Sequence, residues 1–175
     1  MMVKGNKGKF VTCLMLLAVA SASSVKAQED DAVELMERIT AIATHYDQVT
    51  PLVMGAVELM AELYTYEKLL HSDPAIAGQS AKEIIDDLQT LTSEIHTISP
   101  PPEAEDTFNK LLLWFENLEE VIDLFLVTAS PDYSTPVENR LSAYRESKAC
   151  EAKLFTEAKD AYIQLLGDYG IPLER

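Results

Sequence analysis

Cysteine is nearly absent from this chain: of the 175 residues only Cys13 and Cys150 are cysteines. Cys13 falls in an N-terminal apolar run that reads as a removable leader, so Cys150 is left alone and a framework of internal disulfides is excluded. Stability must come from packing. Positive charge is scarce too, with 14 Lys and Arg against 29 Asp and Glu and a formal charge of −15. Nucleic acid and anionic lipid need Lys and Arg to neutralise their phosphates, so this charge repels both, and no nucleic-acid partner is expected. Such acidity suits cations, basic proteins, or solubility and repulsion between copies. There is no strand-like alternation of any length, no internal repeat and no low-complexity tract. Beyond the N-terminal run, no segment stays free of charge for the roughly 20 residues a membrane helix needs.

What is present begins with Lys4, Lys7 and Lys9, followed by the apolar stretch Phe10 to Ala20 and then small residues. That order is a secretory signal peptide. The preferred cut follows Val25-Lys26-Ala27, with Ala20-Ser21-Ala22 second. Cys13 lies at the start of the apolar run and not just after it, which argues against a lipid anchor. The expectation is a signal peptide over 1–27 and one acidic domain over 28–175, periplasmic or secreted. A cut after Ala27 removes four lysines and no acid, making the mature chain four units more negative.

The domain reads as helix throughout. From Glu29 to Thr50, the residues Leu35, Met36, Ile39, Ile42, Tyr46 and Val49 share one helical face. Pro51 then forces a kink or a restart, because its ring pushes Thr50 away from helical geometry. From Leu52 to Leu70 the apolar stripe is wide, and this segment is expected to be the most buried. His71 to Gln79, with Pro74 and Gly78, reads as a loop, and Ser80-Ala-Lys-Glu83 as a capping box opening the next helix. That helix stops at Pro100. A central helix starts at Pro102, with Glu103, Glu105 and Asp106 in the first turn where its dipole favours acids. It runs to Ala129, carrying Phe108, Leu111, Phe115, Leu118, Ile122 and Phe125.

Thr135-Pro-Val-Glu138 repeats the capping-box pattern, and the last helix extends to about Tyr169, stopping at Gly170. Within it Arg145 to Lys153 is the weakest stretch of core, its inward candidates being Ser147, Ala149, Cys150 and Ala152. Small residues there suit close helix approach or leave room for a ligand. On this reading Cys150 is buried, as apolar filler. The architecture expected is all-α: an up-and-down four-helix bundle, its first long helix kinked or broken at Pro51.

Chemistry-bearing patterns are mostly missing. No histidine has a glutamate three residues before it, which excludes the paired Glu-x-x-His ligands of a di-iron bundle. Covalent-haem, zinc-protease, phosphate-loop and nucleophile-elbow motifs are absent as well. Non-covalent metal or haem would have to draw on Met36, Met54, Met60, His45, His71 and His96. The plainer reading makes Met36 and Met60 core filler and the histidines polar groups near helix C-termini. Glu116, Glu119, Glu120 and Asp123 line one face of the central helix and repel one another unless cations or a basic partner sit there. The alternative for that face is ordinary solvation opposite an apolar stripe.

The residues Ile98-Ser-Pro-Pro-Pro-Glu-Ala-Glu-Asp-Thr-Phe108-Asn-Lys-Leu-Leu112 resemble the junction of various exported bacterial helical proteins, in which Ile-x-Pro-Pro precedes a helix that often has His near the position of Phe108. The resemblance covers about 15 residues and implies a bacterial extracytoplasmic bundle with no known activity. Phe108 departs from that pattern. With no catalytic set to assemble, the sequence points to a non-enzymatic interaction or ligand-binding module, with a metal- or haem-binding bundle as the alternative.

Overall fold

A computed structural model describes the backbone of residues 7–130 and 134–172 and the side chains of 30–130 and 134–172. The charged start and the cleavage motif at Ala27 therefore lie outside the described side chains, as do Cys13 and the middle of the Ser130–Thr135 connection. All regular structure among the described residues is helical. The elements are α1 (Lys7–Thr65), α2 (Leu69–Ser72), α3 (Pro74–Ser80), α4 (Lys82–Ile95), a 3₁₀ turn (Pro102–Ala104), α5 (Glu105–Ala129) and α6 (Val137–Asp168). Among the described residues, no helix is long and apolar enough to cross a membrane.

The chain divides into two units, Met1–Thr40 and Ala41–Arg175. In the first, the described side chains are exposed apart from the half-buried Ile39. Met36 and Leu35, expected on the apolar face, are exposed. An Arg38–Glu34 pair of 2.5 Å holds one turn together.

The second unit carries the core. Its axis is α5, nearly half of whose residues are buried, including Trp114, Phe115, Leu118, Val121, Ile122 and Phe125 at 0% exposure. This corrects the expectation that 52–70 is the most buried segment; there Ala56, Met60, Leu63 and Leu70 are buried and most other apolar side chains are half-exposed. Trp114 packs against Phe155 at 4.9 Å between ring centres, and Phe125 against Tyr144 at 5.7 Å. Residues 114, 125 and 128 of α5 thus meet 155, 144 and 140 of α6, so the two helices run antiparallel. His45 meets Tyr162 and Tyr64 meets Glu151, so α6 is also antiparallel to α1.

Local signals explain most boundaries. Helix α1 passes through Pro51 without a break. The Thr50 hydroxyl donates to the Tyr46 carbonyl at 2.7 Å beside the point where the proline lacks its N–H. Residues His71–Gln79 are not a loop. Asp73 accepts a hydrogen bond from the Ile76 N–H at 3.3 Å, and Pro74 occupies the first turn of α3. The Asp-Pro pair starts a helix seven residues before the supposed capping box, so Ser80 ends α3 and Ala81 precedes α4 with no side-chain cap. The second capping box is also absent: Pro136 precedes α6 and no side chain caps it. At the far end Gly170 has φ +65°, and the Ile171 N–H donates to Leu166 O at 2.8 Å, the left-handed stop the sequence predicts.

Candidate functional site

Two helices face each other across an apolar cleft. On α1 the lining residues Tyr46, Val49, Val53 and Met54 recur at helical spacing; on α6 Phe155, Ala158, Tyr162 and Ile163 do the same. Leu111 of α5 contributes to the same wall. The small side chain of Ala158, 1% exposed, leaves space in the middle of the α6 row. The result is a cleft of about 180 Å³. Met54, 53% exposed, and Ile163, 44% exposed, stand at its edge. Lys159 is the one charged side chain in the lining.

Beside the cleft lies a buried polar pair. His45 is 3% exposed, and its Nε2 is 2.9 Å from the Tyr162 hydroxyl. The edge of one ring meets the face of the other where Phe108 packs on His45, at 5.0 Å between centres. His45 Nδ1 is buried without a hydrogen-bond partner. Burial lowers the imidazole pKa below its ordinary 6.5, so the ring is neutral at pH 7. Burial likewise raises the Tyr162 phenol above its ordinary 10. An orphaned buried lone pair is tolerated better than an orphaned N–H, which favours the tautomer with its proton on Nε2, donating to Tyr162.

A second polar cluster fills the stretch that the sequence reads as weak core. Glu151, 9% exposed, accepts from Trp114 Nε1 at 2.7 Å and from the Tyr64 hydroxyl at 3.2 Å. Lys148 pairs with Glu67, and its ammonium lies 3.9 Å from the centre of the Tyr64 ring. Burial first, and then the Glu151 charge, push the Tyr64 phenol well above its ordinary 10; burial, Glu67 and Glu151 do the same to Tyr144. Charge-assisted hydrogen bonds of this kind contribute about 1.5–3 kcal/mol each, which offsets the cost of taking the carboxylate out of water. This cluster is structural glue between α1, α5 and α6.

The residues singled out from sequence are scattered. Glu116, Glu119, Glu120 and Asp123 lie together on the exposed side of α5, and Glu120 accepts from Asn117 at 3.2 Å. Among the described residues no three of His, Cys, Asp and Glu come together as metal ligands. Met60 is core, as expected, whereas Met36 is exposed and Met54 edges the cleft. His71 is exposed, 3.6 Å from Glu138, and His96 follows the end of α4. His45 departs from expectation, since α1 continues well past it and buries it.

Cys150 is exposed and not buried. The inward row of α6 runs through Tyr144, Ser147, Glu151 and Ala158, and position 150 is turned about 100° from Glu151. Ala149 and Ala152 are exposed with it.

Compared with protein-family models, curated proteins and solved structures, the chain matches none.

Sequence reasoning missed Glu151 and the cleft. An indole in the middle of a core helix needs an acceptor for its N–H, and that need was the available pointer to a buried carboxylate. The cleft had no comparable signal, because its lining residues are ordinary core types at ordinary spacing.

Proposed function

We propose that this chain is a non-enzymatic, exported helical-bundle module that binds one small apolar group in the cleft between α1 and α6. The bundle is read as up-and-down, built from residues 41–65 of α1 with α4, α5 and α6. The antiparallel pairing of α6 with both α1 and α5 supports that arrangement.

The cleft is the observation that carries the function. Its volume of about 180 Å³ is comparable with the roughly 150 Å³ of an engineered apolar cavity that takes up benzene. It suits a single ring or a short alkyl chain. Binding sites are concave and mostly apolar with a few polar groups, and the lining here has that composition. The polar residues in it are Tyr46, Thr50, Lys159 and Tyr162, the last with its hydroxyl turned to buried His45, and they form no set of nucleophile, base and orienting group.

Titration of toluene into the isotopically labelled protein tests this reading. Saturable amide shifts confined to residues around Val53, Leu111 and Tyr162 are expected, and Val53→Phe, which fills the cleft, should remove them. Shifts that never saturate, or that persist in Val53→Phe, would refute it.

Export rests on the order of charged, apolar and small residues over 1–27. Expressed in a bacterium with its own N-terminus, the protein should leave the cytoplasm with a mass starting at Gln28. Retention of the full chain in the cytoplasm would overturn that part.

A further inference from the structure

We infer that the ligand of the α1/α6 cleft is a small monocarboxylate with an apolar body, such as a short alkanoate or an aryl carboxylate, its head group held at Lys159. The inference rests on the cleft being a binding site. It adds the chemical class of what is bound.

Lys159 is exposed, and it sits between Phe155 and Ile163 at four-residue spacings, so its aliphatic stem follows the lip of the cleft. Nearby Lys153 is paired with Glu157 at 3.7 Å. Lys159 has no such partner among the described residues. A cation without a counter-ion at the mouth of an otherwise apolar cleft complements a ligand that is apolar at one end and anionic at the other.

The chain's overall charge of −15 opposes this, because its long-range field repels anions. Range decides between the two. At physiological ionic strength the screening length is about 8 Å, so a carboxylate touching Lys159 feels the adjacent ammonium far more than the distant acids. If the global field won, the same cleft would prefer an alkylammonium. The two alternatives predict opposite orders of affinity.

The apolar part sets length. Each buried methylene strengthens binding by about 0.8 kcal/mol, or roughly fourfold, until the cleft is full. A volume near 180 Å³ accommodates about a benzene ring's worth of carbon, so the gain should level off for chains of roughly six or seven carbons.

The experiment is calorimetric titration of the purified protein with hexanoate, hexanol and hexylammonium, followed by butanoate to octanoate. Hexanoate is expected to bind about two- to fivefold tighter than hexanol, the scale of a solvent-exposed ion pair. Hexylammonium should bind weakest. In Lys159→Met the preference for hexanoate over hexanol should vanish while hexanol affinity stays within about twofold, and Lys159→Arg should restore it. Hexanol binding as tightly as hexanoate, or hexylammonium binding best, would overturn the carboxylate assignment and leave the apolar cleft standing. Failure of all three to bind would remove both readings.

Discussion

At the scale of single residues, the two buried polar centres make different demands, one needing an acceptor and the other a neutral ring. Glu151 accepts from Trp114 and Tyr64 together, so removing its oxygens orphans a buried indole N–H and a half-buried hydroxyl. Glu151→Leu should cost about 2–4 kcal/mol, a full penalty for the buried indole N–H and a smaller one for the half-buried hydroxyl. Glu151→Gln should cost about 1 kcal/mol, since its carbonyl still serves the indole and the Tyr64 hydroxyl can turn and accept from its amide. Urea melts read the difference directly, because Trp114 is the chain's single tryptophan. A loss equal in both variants would show that the hydrogen bonds to Glu151 contribute little.

His45 shows its demand through pH. Its folded pKa lies below the ordinary 6.5, whereas the unfolded chain takes up the proton near 6.5. Stability contributed by the neutral ring is therefore complete above that pH and is lost as pH falls toward the folded pKa, by at most about 1.4 kcal/mol per unit. The stability difference between the wild type and His45→Gln should be constant above neutrality and shift in favour of the variant as pH falls from 6.5 to 5. A difference that does not change with pH would mean that His45 titrates normally in the fold. At the alkaline end the sign reverses. Tyr64, Tyr144 and Tyr162 have raised folded pKa values, so their contribution is complete below pH 10 and lost above it. Three of the seven tyrosines should ionise only as the chain unfolds, measurable by absorbance titration.

Helices were legible where pattern and punctuation agreed and misread where two start signals competed. The stripe of α5 and the stop at Gly170 followed from spacing and from the need for positive φ. Ser80-x-x-Glu83 failed because Asp73-Pro74 had already supplied a start seven residues earlier, leaving the second motif in mid-chain. Pro51 was ambiguous for a different reason. A proline opens a helix comfortably but costs about 3 kcal/mol inside one, and the sequence cannot say which side of Thr50 the neighbouring elements hold in place. Packing of Val49 and Ala56 into the same core, on either side of Pro51, carries the helix through. Because α1 is continuous, Pro51→Ala should stabilise the protein by about 1–3 kcal/mol: the ring that crowds the preceding turn is lost and the bond to the Asp47 carbonyl becomes possible. Two helices meeting at Pro51 would give the reverse, a neutral or destabilising change. Denaturant midpoints of the two proteins decide it.

For the whole molecule, class was legible and spacing between elements was not. Composition and periodicity lead to an all-helical chain. The cleft depends on how far α1 and α6 stand apart around Ala158, a distance set by side chains from three helices at once. Charge is the property that acts at this scale without reference to any one contact. The excess of acids spreads over the exposed faces, including Glu116, Glu119, Glu120 and Asp123 on α5, while exposed pairs among the described residues, such as Arg38–Glu34, Lys110–Asp106 and Lys153–Glu157, lie one turn apart. Such pairs contribute only a few tenths of a kcal/mol each, and salt weakens them and the mutual repulsion alike. Repulsion involves many more groups, so its loss should dominate. Raising sodium chloride from about 10 mM, where the screening length is near 30 Å, to about 150 mM should stabilise the fold by roughly 1 kcal/mol. For a domain of this size that moves the thermal midpoint up by about 2–4 °C. Calcium at equal ionic strength should do no more than sodium if the α5 face is ordinarily solvated, and distinctly more if its four carboxylates gather a cation. A midpoint that falls with added salt would show instead that attractive pairs such as Lys148–Glu67 outweigh the net charge.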